Sequence, residues 1–164
     1  MKPLDEPKRL GDLLSKGTTM MVGTRSATGP FNSRPLTVAD VQGTTIRVLI
    51  DTAADWTTGV RASDQAHVTV SDNRDNLWLA MNATMTITAD KAEIDELWNA
   101  FASAYFDEGR DTPTIGVLHL ALEEGTYWST PSGRVGSVVS MLKAAIGNPQ
   151  DSGEHGEIAT TDEL

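Results

Sequence analysis

The sequence predicts a mainly β protein with flanking helices: an antiparallel sheet closed into a barrel, with a few helices packed outside. Three observations predict it. β-rich stretches recur at hairpin spacing, turn-forming residues separate them, and there is no alternation of strands with helices of the βαβ kind. A sheet of this size must bury an apolar face and deal with its edges, and closure does both. The 164 residues suit one domain with one core. That domain is expected over residues 1–147, with an acidic, disordered tail over 148–164.

The elements follow in order. Leu4, Leu10, Leu13 and Leu14 suggest a short amphipathic helix closed by Gly17. Strands are expected at 18–25, 31–40 and 44–51, with turns at Gly29-Pro30 and Gln42-Gly43. A helix at 53–62 has weaker periodicity. Strands at 66–72 and 77–89 flank the turn-forming run Asp72-Asn73-Arg74-Asp75-Asn76. Next comes the strongest helix signal. Asp90 can cap it, Glu93 completes a capping box, and Ile94, Leu97, Trp98, Phe101, Ala102 and Tyr105 share one face. Trp98 is therefore expected in the core, whereas Trp78, on a strand, suits core or dimer interface equally. Strands at 115–122 and 126–130 surround an expected turn at Glu123-Glu124-Gly125. A last helix opens at Pro131-Ser132, carries Val135, Val138, Val139, Leu142 and Ile146 on one stripe, and stops at Gly147.

Composition excludes several classes of function. There is no cysteine, hence no disulfide, thiolate metal site or cysteine nucleophile. No apolar run matches a signal peptide or a membrane span, so a cytoplasmic, non-membrane protein is expected. The net charge is −10, with five acids and no base from Asn148 onward. Even the remaining residues hold 18 acids against 13 bases, which argues against a nucleic-acid surface built on clustered cations.

Familiar catalytic sets are missing. His67, His119 and His155 are too scattered for a metal motif; the first two read as structural and the third as an idle tail residue. No nucleophile elbow, P-loop or dinucleotide fingerprint is present. A bound cofactor would have to supply any reactivity. Ser33-Arg34-Pro35-Leu36 does stand out, because it sets a cation beside a proline within a strand pattern. Proline removes a ladder hydrogen bond and belongs at an edge or bulge, where neighbouring groups are free to meet a ligand. An ordinary edge strand with an exposed arginine is the plainer alternative.

Ser33-Arg34-Pro35-Leu36 resembles the S-R-P-M signature of the pyridoxamine 5′-phosphate oxidase-like proteins, in particular their general stress protein 26 branch. Ala92-Glu93-Ile94-Asp95-Glu96-Leu97-Trp98 is similar to that family's K-I-D-E-L-W at the start of its main helix. Tyr127-Trp128-Ser129-Thr130-Pro131 resembles its Y-W-D-S-P before the last helix. The likeness runs from about Leu10 to Gly147. It implies a split β-barrel of the FMN-binding type, working as a homodimer with FMN in the clefts between subunits. Arg34 would then face the flavin, backbone near Pro35 and Leu36 would meet the ring, and strand 46–51, with Asp51 at its end, would form the cofactor wall. Trp128 would reach the cleft from the partner subunit.

The resemblance departs at the phosphate. A gapless alignment places Ile50, Ala54 and Trp56 where the family carries the Thr, Ser and Lys that hold the flavin phosphate. A hydrogen bond to a charged group contributes roughly 1.5–3 kcal/mol, so the lysine alone is worth about tenfold to a hundredfold in affinity. A local gap could restore Thr52 or Thr57, and Arg47 or Arg61 could supply charge. Trp56 itself suits a ring-stacking wall or a core anchor equally. Three functions follow: a flavin-binding, oxidoreductase-like stress protein; a dimer holding another planar cofactor such as F420 or haem; or a cofactor-free interaction barrel.

Overall fold

A computed structural model describes residues 5–25, 29–129 and 154–160. Strand β1 (Asp5–Lys8) and a single helical turn α1 (Leu10–Leu13) precede β2 (Thr19–Arg25), β3 (Phe31–Thr37), β4 (Asp40–Gln42) and β5 (Thr45–Asp51). Helix α2 (Thr57–Ala62), strands β6 (Gln65–Asp72) and β7 (Leu77–Thr88), and helices α3 (Lys91–Leu97) and α4 (Ala100–Tyr105) follow. Strand β8 (Ile115–Ser129) and β9 (Glu154–Ile158) complete the set. The expected helix from Pro131 to Ile146 lies outside the described residues.

Alternation builds the sheet. Met20 and Val22 of β2, Ala66, Val68 and Val70 of β6, and Leu79, Met81, Ala83 and Met85 of β7 all point to one core, because successive strand side chains face opposite ways. The sheet runs β1-β9-β8-β7-β6-β2-β3. Strand β8 is its spine. It pairs with β7 along most of its length, with β5 from Thr45↔Ala121 to Asp51↔Ile115, and with β9 from Thr126↔Glu157 to Ser129↔Glu154. Every described pairing is antiparallel except β1 with β9.

Strand β5 is buried on both faces. Ile46, Val48 and Ile50 enter the main core, while Leu49 packs on a second cluster with Ala39, Ile94, Leu97, Ala102, Phe106, Ile115 and Val117. Helices α3 and α4 thus cover the outer side of β5 and β8.

The closed barrel expected from the sequence does not form, and the sheet stays open between β3 and β5. The chain leaves β3 at Val38, and the Ala39 N–H donates to the Arg47 carbonyl at 2.9 Å, so it turns directly into the β4–β5 hairpin. Among the described strands, β3 pairs with β2 alone. A proline-bearing strand suits such an edge, since Pro35 has no N–H to donate.

Four local expectations are corrected. The segment 123–125 is a bulge within one long strand: Asn82 pairs with Glu124 and Ala83 with Leu122, leaving Glu123 as the extra residue. Gly125 is there because a Cβ would stand 2.9 Å from both the Met81 and Ile158 side chains. The long helix breaks at Trp98–Asn99, where Asn99 caps a new helix through Ala102 N–H (2.9 Å). Asp90 does cap α3, but Glu93 bonds to Thr88 and His119 and does not close a capping box. Finally, part of the presumed disordered tail is β9, fixed by buried Ile158 and by His155 stacked on Trp128 at 5.5 Å. No described helix is long and apolar enough to cross a membrane.

Candidate functional site

The opening between β3 and β5 is a cleft of about 240 Å³. Pro35, Leu36, Thr37 and Val38 form one wall, and Leu49, Ile50 and Asp51 form the opposite one. Ala54 and Trp56 close one end, and Asn99, Phe101, Ala102, Tyr105 and Phe106 form the roof. Ligand sites commonly enclose roughly 300–1,000 Å³, so this cleft is a partial enclosure. Its roof is open: Phe101 is 66% exposed and Tyr105 73%.

Arg34 stands beside the cleft without lining it. Its guanidinium lies 4.7 Å from the centre of the Trp56 ring, within cation–π range. One terminal nitrogen donates to the Thr24 hydroxyl (2.9 Å) and the Val22 carbonyl (3.3 Å), and the other to the Asn32 carbonyl (3.1 Å). These bonds tie the side chain to β2 and β3 and fix its plane. Burial pushes its pKa down, yet an arginine stays charged at any physiological pH. No described carboxylate pairs with it, so its charge is free to act on a ligand. Trp56 packs against the main core and also lines the cleft.

Six of the eight residues read from the sequence therefore meet at one place: Pro35, Leu36, Ile50, Asp51, Ala54 and Trp56, with Arg34 adjoining through Trp56. Trp128 is elsewhere within the chain. It sits at the opposite end of β8, facing Trp78 across the ladder and stacked on His155. The roof was missed altogether. Phe101 and Tyr105 read as core when α3 and α4 are taken as one helix, and the usable signal was Asn99, a strong cap placed mid-stripe.

The fallback phosphate groups are engaged elsewhere. The Thr52 hydroxyl donates to the Thr114 carbonyl (2.8 Å), and the buried Thr57 hydroxyl to the Thr52 and Ala54 carbonyls (2.9 and 2.7 Å). Arg47 is 5% exposed and bonded to Asp40, Glu93 and Glu96. Its pKa is held well above the ordinary value, raised by the bond to Glu96, opposed by burial and raised further by Asp40. Arg61 has no described side chain. The cleft thus suits a flat ring, by its apolar walls and the Trp56–Arg34 contact, and among the described residues its lining offers a phosphate only the neutral donors of Thr37, Asn99 and Tyr105 and no cation. Nor do those residues include a cluster able to hold a metal ion.

The family model for pyridoxamine 5′-phosphate oxidase-like proteins matches residues 5–151. No curated protein matches the chain. Among solved structures, a protein described as a general stress protein 26 from Jannaschia sp. CCS1 is 24% identical, with a TM-score of 0.70, over 90% of this chain and 94% of that one. A Clostridium acetobutylicum protein related to general stress protein 26 is 21% identical (TM-score 0.61, 68% of this chain and 80% of that one). The general stress FMN/FAD binding protein of Xanthomonas citri is 19% identical (TM-score 0.62, 71% and 83%). At these identities the likeness to solved structures concerns the fold. With its family signature segment forming the wall of the β3–β5 cleft, the chain belongs to the pyridoxamine 5′-phosphate oxidase-like family.

Proposed function

We propose that this chain is a flavin-binding protein of the general stress type, holding the flavin ring in the β3–β5 cleft. The observation that carries this reading is the Arg34–Trp56 contact beside a largely apolar slot between β3 and β5, two strands that do not pair with each other. A flat conjugated ring gains dispersion and apolar burial from such walls, and a fixed cation stabilises negative charge gathering on it. FMN is the flavin that the family resemblance points to, and the Xanthomonas citri neighbour is named for FMN/FAD binding. A bound flavin would supply hydride or electron transfer. The protein's share is to bind the ring, orient it and, through Arg34, tune its charge.

A homodimer is part of the proposal. The exposed Phe101 and Tyr105 leave one side of the cleft for a second copy to cover, and Trp128, 42% exposed, is available to be presented by that copy.

The absorption spectrum of freshly purified, dialysed protein tests the reading. A two-band yellow flavin spectrum supports it. A deazaflavin band would support a second reading, another planar ring in the same cleft. Haem is less favoured, because no His or Met is among the described residues that line the cleft. A colourless protein that leaves flavin fluorescence unquenched would point to a cofactor-free interaction barrel.

A further inference from the structure

The cleft is unusual in where its charge lies. Among the described residues lining it, Asp51 is the one that carries charge, so the wall presents an anion. Its carboxylate already accepts the Ala53 N–H at 2.9 Å. The loop that would have to cradle a phosphate therefore carries its own negative group, seated on one of its own amides. Other amides there are engaged as well: Thr52 N–H donates to the Thr114 carbonyl (2.7 Å) and Ala54 N–H to the Asp51 carbonyl (3.1 Å).

The hydroxyls reinforce this. A threonine hydroxyl has one proton. Those of Thr52 and Thr57, behind the lining, are given to backbone carbonyls. The hydroxyls that do line the cleft, Thr37 and Tyr105, are neutral groups that suit a neutral hydroxyl partner and carry no charge to answer a phosphate. Arg47, four residues before Asp51, has its charge answered by three carboxylates. Arg34 lies against Trp56 and stands outside the cleft's lining.

We infer that the cleft selects against a terminal phosphate, and that its ligand is a flavin-type ring whose side chain ends in neutral hydroxyls. The inference rests on the flavin reading above and sharpens it from a cofactor class to a ligand preference. Riboflavin stands for that class and FMN for the phosphorylated alternative.

The test is quenching of flavin fluorescence by the full-length protein, titrated with riboflavin and FMN in one low-salt buffer. The expected result is riboflavin bound at least tenfold tighter. Asp51→Asn should narrow that ratio by about threefold or more, since it removes the repulsion between two anions at close range. Added salt should narrow it too. The double substitution Ala54→Ser with Trp56→Lys, at half-buried positions, should move the ratio toward FMN even if it weakens both ligands. FMN binding as tightly as riboflavin, or tighter, would overturn the inference and leave the flavin reading standing. Quenching by neither flavin at millimolar protein would overturn both.

Discussion

Two arginines define two regions of this molecule. Arg47 sits on the side of β5 covered by α3, buried, with its guanidinium shared among Asp40, Glu93 and Glu96. Arg34 sits on the open edge at β3, partly exposed, bonded only to neutral oxygens and an aromatic ring. The same side chain has its charge answered by carboxylates in one place and left to neutral oxygens and a ring in the other, where the proposed function puts it to use. The cluster around Arg47 is continued by His119, which bonds Glu93 at 3.0 Å, and by Lys16, which reaches Asp40 at 3.2 Å. That network joins α3 to the sheet. The Arg34 region joins nothing beyond β2, β3 and Trp56, and it leaves a cleft.

The largest expected effect breaks the first region. Arg47→Met removes the cation shared by the largely buried Asp40 and Glu93 and the exposed Glu96, and removing one partner of a buried ion pair costs about 3–5 kcal/mol. For a chain of this size that lowers Tm by about 6–20 °C, readable by thermal denaturation. Arg34→Ala should do the opposite. Tm should shift by less than in Arg47→Met, because Arg34 bonds only neutral oxygens and its loss leaves no carboxylate unpaired, while flavin affinity falls at least tenfold. If Arg34→Ala unfolds the protein and Arg47→Met only weakens binding, the two assignments are reversed.

Asn99→Ala sharpens the contrast from the cleft's roof. Losing a helix cap costs about 1 kcal/mol, and the loosened α4 should weaken ligand binding severalfold without reaching the Arg47 network. Differential scanning fluorimetry and titration together would show both.

The smallest effect is in pH. Burial pushes the Asp40 carboxyl up, but hydrogen bonds from Arg47 and Lys16 outweigh it and hold the pKa below the ordinary value. For Glu93 burial likewise raises, and Thr88, His119 and Arg47 more than offset it. A carboxyl with a depressed folded pKa stabilises fully above its unfolded pKa of about 4, and that stability is lost as pH falls through the folded value. Stability measured from pH 5 to pH 2 should therefore decline more steeply in the wild-type protein than in Arg47→Met.

Much of the fold was legible because alternation is a local signal. The strands at Thr19–Arg25, Thr45–Asp51, Gln65–Asp72 and Leu77–Thr88 each fall within a residue of expectation. What was not legible depends on distant partners. Glu123 reads as a turn until Asn82 and Ala83 are seen on either side of its bulge. Residues 154–158 read as a polar tail until β8 offers a free edge and Ile158 finds the core. The cleft shows the same division. Pro35 and Trp56 are visible as oddities of composition, whereas Phe101 and Tyr105 reach the cleft only because Asn99 restarts the helix on a new face.

Amide hydrogen exchange, with and without riboflavin, tests the central claim that the β3–β5 opening is the ligand site. The edge amides of β3 should exchange fast in the free protein and slow on binding. Slowing is predicted in residues 31–37, 49–57 and 99–106, with no change around Arg47, Glu93 and Glu96. Unchanged exchange in those three segments at saturating riboflavin, or slowing confined to the Arg47 side, would contradict the account.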